Sequence, residues 1–79
     1  MSDPVVFVDL RFDRSLYAGP AVDEAVKVFA AHGEFHLSEE PDTWVVKLRA
    51  LRPGEARTRR LAHEFANYAL GLTVQRGGA

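Results

Sequence analysis

The closing stretch Arg57 to Arg76, RTRRLAHEFANYALGLTVQR, constrains the fold most, because its apolar residues recur at helical and not at strand spacing. At about 100° per residue, Leu61, Phe65, Tyr68 and Leu72 form one stripe, and Ala62, Ala66, Ala69 and Leu70 widen it to roughly half the circumference. Arg60, His63, Glu64, Asn67 and Gly71 are left for water. The chain has 79 residues, the size of one domain. Folding at this size hides only about 60% of the unfolded chain's surface and leaves a margin of roughly 3 to 5 kcal/mol. A helix face wider than one small sheet can cover therefore points to a partner. Phe65, Tyr68 and Leu72 are assigned to the chain's own sheet, and Ala66, Asn67 and Leu70 to docking.

The rest of the chain supplies that sheet. Val5 to Phe12 alternates with period two, Val6, Val8, Leu10 and Phe12 facing one way and Val5, Phe7, Asp9 and Arg11 the other. A loop from Asp13 to Ala18 leads to Gly19-Pro20, which opens a helix because proline at the first helical position loses no hydrogen bond. Asp23 and Glu24 are expected to favour its positive N-terminal end. Val22, Ala25, Val26 and Phe29 recur at i, i+3, i+4 and i+7, and Gly33 is expected to close the helix in a left-handed conformation. A short strand holds Phe35 and Leu37, and Ser38 to Asp42, with Pro41, reads as a hairpin loop. Thr43 to Arg49 is the strongest strand by its β-branched and aromatic content, with Trp44, Val46 and Leu48 on the apolar side. Arg52-Pro53-Gly54 ends it, and the last helix follows.

The order β-α-β-β-α predicts an α+β fold, a two-layer sandwich with a three-stranded sheet and two helices on its one apolar face. The third strand is expected in the centre, giving the order 2-3-1. The chain reads as a single domain over 1–79, ordered from about 4 to 75, with Gly77 to Ala79 a fraying tail. Phe7 and Val45 then stand among charges on the outer sheet face, a second candidate contact surface.

Charge nearly cancels, at −1, which gives no general reason to expect nucleic acid. Its distribution is uneven. Lys47, Arg49, Arg52, Arg57, Arg59 and Arg60 oppose Glu55 alone, whereas Glu34, Glu39, Glu40 and Asp42 stand together without a counter-ion. Arg57 and Arg60 therefore join the candidate partner-binding residues, with an acidic protein or peptide as the counterpart. The stacking aromatics of a single-strand binder are missing from the cluster. With no cysteine there are no disulfides or thiolate metal sites, and a reducing cytoplasm is the expected compartment. No apolar run is long enough to span a bilayer, and Met-Ser-Asp-Pro lacks the basic start of a secretion signal.

The titratable residues do not assemble a catalytic or metal site, so neither an enzyme acting alone nor a bound cofactor is expected. Gly33 interrupts the spacing of His32 and His36, and His63 and Glu64 splay apart on their helix. Ser15 lies in an Asp-Arg-Ser turn suited to backbone capping. Gly77-Gly78 follows no strand-to-helix turn and is not a phosphate loop.

Val8 to Tyr17 (VDLRFDRSLY), the alanine-rich helix, the strand Trp44 to Leu48 (WVVKL) and Glu64 to Leu70 (EFANYAL) together resemble the small D component of His-Xaa-Ser peptide-maturation systems, over most of the chain. That family closes on a block of the type Leu-Asn-Asp-Tyr-x-Leu-Arg-Glu. Asn67 and Leu70 are set against its Asn and Leu, three residues apart here and four in that block, while Gly71 and Leu72 stand where Arg and Glu occur. The resemblance implies a non-catalytic accessory protein acting beside a radical S-adenosylmethionine (SAM) enzyme on a ribosomally made precursor peptide. Cluster and cofactor then belong to the partner, an edge strand can pair with an extended leader peptide, and the wide helix can dock on the enzyme.

The same element order, with an Asn in the last helix, also resembles the small dimerising subunit of the transfer-RNA threonylcarbamoylation complex, which implies a homodimeric scaffold. Asn67 is the polar residue singled out in either case: it faces water or bonds a partner backbone. Tyr17 and Tyr68 are read as core rings whose hydroxyls reach the edge.

Overall fold

The computed structural model describes residues 7–52 and 54–78. The elements are β1 (Val8–Asp13), α1 (Gly19–Phe29), β2 (Gly33–Glu40), β3 (Thr43–Ala50) and α2 (Glu55–Gln75). The sheet is antiparallel with the order β1-β3-β2, so the strand richest in β-formers is central, as expected. The fold is α+β, β-α-β-β-α. Val5 and Val6, read as the start of the first strand, lie outside the described residues.

Register decides the two faces. Val8 pairs with Leu48 and Leu48 with Phe35; Leu10 pairs with Val46 and Val46 with Leu37. These rows, with Phe12 and Trp44, form the inner face that both helices cover. Phe65 of α2 is fully buried at the centre, its ring centroid 5.2 Å from Phe35, 5.6 Å from Phe29 and 6.0 Å from Phe12. One side chain thus touches β1, α1 and β2.

The helix stripe differs from its sequence reading. Thr58, Leu61, Ala62, Phe65, Ala69 and Thr73 are buried, an arc of about 120° by helical geometry. Ala66 and Leu72 are half-buried, and Tyr68 lies at the margin with its ring on Phe29 of α1, 5.4 Å away, and not on the sheet. The two threonines extend the stripe because their hydroxyls have partners. Thr58 Oγ1 accepts the Ala50 N–H at 3.1 Å and Thr73 Oγ1 accepts the Ala18 N–H at 3.2 Å. Thr73→Val keeps the side chain's volume but removes the acceptor. We expect it to cost about 1 to 3 kcal/mol, the penalty of an unmet buried donor, in urea unfolding followed by circular dichroism.

Several boundaries move for identifiable reasons. Ser38 to Glu40 belong to β2, and only Pro41-Asp42 turn the hairpin, because Glu40 still pairs with Thr43. α2 begins at Glu55, two residues before the expected start. In α1 no acidic side chain reaches the first turn; Asp23 instead pairs with Lys27 at 2.9 Å. Gly33 does not take a left-handed conformation. It opens β2, where β3 and α2 leave no room for a side chain.

Gly77 and Gly78 follow Gln75 and cap the end of α2. Both have positive φ, the Gly77 N–H donates to Val74 O at 3.0 Å, and the Gly78 N–H donates to Thr73 O at 2.9 Å. That pair of bonds is a Schellman motif, which satisfies carbonyls a helix end otherwise leaves open. Ala79 lies outside the described residues.

Candidate docking surfaces

The candidate residues fall on three separate surfaces. The first is the outer face of the sheet, which neither helix covers. Phe7 is half-buried there, its ring 5.5 Å from Lys47 Nζ, 5.5 Å from Arg49 Cζ and 6.2 Å from the His36 ring. Val45, also half-buried, sits in the row of Arg11 and Ser38. The cations over Phe7 use the negative ring face and shield its apolar surface.

This face also corrects the expected charge segregation. Glu34 accepts from Arg49 Nε and Nη2 at 3.1 and 2.9 Å and lies 2.6 Å from His36 Nε2; Arg11 pairs with Glu40 at 2.9 Å. Two carboxylates of the acidic stretch, Glu34 and Glu40, therefore have counter-ions, which strand register supplies from other segments. The hydrogen bond from His36, and then those from Arg49, hold the Glu34 carboxyl below its ordinary 4.5. The stability this adds is complete above the unfolded value and is lost as pH falls through the lower folded one. Glu34→Gln should therefore shift the urea midpoint at neutral pH but leave it nearly unchanged well below pH 4.5, flattening the acid limb of the stability curve.

The Asp13 carboxyl, on the last residue of β1, is also held low. The Ser15 hydroxyl and N–H donate to Asp13 Oδ1 at 2.6 and 2.8 Å and hold its carboxyl below 3.8. Ser15 is thus part of a turn, with Asp13 as the capping group.

The second surface is one flank of α2. Ala66 is half-buried, Asn67 is exposed with its side chain unbonded to other described residues, and Leu70 and Val74 are 44% and 68% exposed. The apolar excess read from the sequence survives here, smaller than expected.

The third surface is a groove along α2, bounded by the end of α1, the turn that follows it and the end of β3. A cavity of about 410 Å³ is lined by Ala31, His32, Ala50, Leu51, Arg52, Arg57, Arg60, Leu61 and Glu64. A second, of about 350 Å³, is lined by Val28, Phe29, His32, Leu61, Glu64 and Tyr68. They share His32, Leu61 and Glu64 and so form one continuous depression, guanidinium-rimmed at one end and apolar at the other. Arg60 lies 3.5 Å from Glu64, whereas no carboxylate among the described residues lies within 4 Å of Arg52 or Arg57. Arg59, by contrast, turns away to bind Glu55 at 2.7 Å.

The structure thus unites Arg57 and Arg60 with Arg52 but separates them from Ala66, Asn67 and Leu70, and both groups from Phe7 and Val45. The groove's apolar members Val28, Leu51 and Tyr68 were not singled out by sequence reasoning as contact residues. Their signal was present in part: Arg57, Leu61, Glu64 and Tyr68 are one i, i+4, i+7, i+11 row along α2. Among the described residues no cluster of His, Asp and Glu is placed to hold a metal ion, and no helix is long and apolar enough to cross a membrane. Compared with known protein families, curated proteins and solved structures, the chain matches none of them.

Proposed function

We propose that this chain is a non-catalytic accessory protein of a ribosomal peptide maturation system, binding the precursor peptide, a radical SAM enzyme or both in the cytoplasm. The observation that carries the reading is the open sheet. β1 and β2 each pair with β3 on one side only, so an extended leader peptide has a row of backbone donors and acceptors to pair with. Leu70 and Val74, on the exposed flank of α2, supply apolar area for the enzyme. The resemblance of VDLRFDRSLY and EFANYAL to the D component supports the same reading.

The test mixes the chain with the precursor and the radical enzyme encoded beside it. The precursor should slow amide hydrogen exchange along β1 or β2, and the enzyme should co-elute with the chain unless Leu70→Asp is present. A cleanly folded chain that binds neither would falsify the proposal.

The same flank of α2 favours a second reading, a homodimeric scaffold, because self-association would also cover Ala66, Leu70 and Val74. A concentration-dependent dimer in sedimentation, made monomeric by Leu70→Asp without loss of folding, would select it.

A further inference from the structure

We infer that the groove along α2 binds a short acidic peptide segment through one large apolar side chain flanked by carboxylates. The inference deepens the reading of the chain as a peptide-binding accessory and rests on it. Its first support is where the exposed apolar surface lies. Of the six large hydrophobic residues exposed among those described, three line this depression: Val28 at 49%, Leu51 at 62% and Tyr68 at 37% exposure. Phe29 and Leu61 form its floor. Val28 and Tyr68 line a cavity of about 350 Å³, within the usual range for a site that encloses one anchoring group, while Leu51 lines the adjoining arginine-rimmed compartment.

The second support is charge. Arg52, Arg57 and Arg60 rim the adjoining compartment, and Glu64 is the one carboxylate lining it. A carboxylate presented here meets guanidinium groups that can bind it bidentately. An apolar residue with acidic neighbours therefore satisfies both ends of the groove together.

Charge also argues against the other occupants. A second copy docking groove to groove through a two-fold axis would place both sets of three arginines in one interface against two Glu64 carboxylates, an excess of like charge. A nucleic acid strand would meet Glu64 between the two compartments and, overall, a chain of net charge −1.

The test titrates the isotope-labelled chain with the synthetic peptide Asp-Glu-Leu-Phe-Glu-Asp and follows backbone amide resonances. We expect shifts at His32, Leu51, Arg57, Leu61 and Tyr68, and binding that weakens with added salt. The double variant Arg57→Glu/Arg60→Glu and the carboxamide peptide Asn-Gln-Leu-Phe-Gln-Asn should each lower affinity about tenfold or more. Tyr68→Ala should weaken binding of both peptides. Arg59→Glu, which reverses one charge on the same helix but lies outside the groove, should leave affinity within about twofold once salt is physiological. All these side chains are exposed, and an unchanged melting curve verifies that each variant is folded.

Equal binding of the carboxamide peptide, undiminished binding by the double variant, or shifts confined to the edges of β1 and β2 would each overturn the inference. So would tighter binding of a short oligothymidine, or self-association abolished by Tyr68→Ala. A precursor that binds only at the strand edges removes the groove and leaves the accessory role standing. A precursor that does not bind, while the acidic peptide fills the groove, removes the role and leaves the groove's chemistry.

Discussion

Alanine at position 65 should leave the chain largely unfolded at room temperature. Phe65 is fully buried and is the one ring in contact distance of Phe12, Phe29 and Phe35 together, so its loss opens a void that no single neighbour can fill. Truncating a buried phenylalanine costs about 3 to 5 kcal/mol, transfer and cavity terms combined. A domain of 79 residues without disulfides has a margin of about the same size. Phe65→Leu, which keeps most of the volume, should cost about 1.5 kcal/mol and still melt cooperatively. Far-ultraviolet circular dichroism on both variants checks this. A cooperative transition for Phe65→Ala within a few degrees of the parent would mean that the aromatic cluster does not organise the core.

The second large effect is expected at Gly33. A Cβ there would press on the Arg49 carbonyl oxygen and stand 2.8 Å from Leu61 Cδ2. The leucine methyl can turn away, but the carbonyl belongs to the β2–β3 ladder, where Gly33 pairs with Ala50. Relief therefore requires the end of the ladder to part, close to where Thr58 holds the Ala50 N–H. We expect Gly33→Ala to destabilise by about 3 kcal/mol, at the upper end of overpacking costs. Leu61→Ala should not rescue it, because the decisive contact is with backbone. Gly71→Ala, where a Cβ meets open space in a helix, should raise the urea midpoint, worth up to about 1 kcal/mol. Comparable stability of the Gly33 and Gly71 variants would show that the close approach carries no weight.

Each of these sites was legible in the sequence to a different degree. Phe65 stands on a helical stripe that periodicity alone marks, and its burial followed. Gly33 is visible as a glycine after a helix, which points to helix closure, whereas in the structure it opens β2. Helix closure is a local event, whereas the crowding comes from Arg49 and Leu61, distant in sequence. Thr58 and Thr73 fall on the same stripe as Phe65 but were passed over because hydroxyls are counted as polar. They can be buried only because Ala50 and Ala18 bring backbone N–H groups to them. The acidic stretch looked unbalanced for the same kind of reason, since Arg49 and Arg11 reach it only through strand register.

The candidate surfaces divide similarly. The arginines of the groove were recognised as a basic cluster, and Leu70 as apolar excess. Sequence could not show that Arg57 and Tyr68 line the groove on one flank of α2 while Ala66 and Leu70 lie on the other. A helical wheel orders residues by angle, but which angle meets which neighbour depends on how α1 and α2 pack.

By itself the sequence determined the order β-α-β-β-α, the inner face of each strand and the centrality of β3. These follow from the periods of two and 3.6 and from β-propensity, which are local properties of the chain. Only the tertiary structure decided the narrow buried arc of α2, the close approach at Gly33, the counter-ions of the acidic stretch and the groove. Each depends on two segments far apart in sequence meeting at distances of a few ångströms, and no local pattern encodes such a distance.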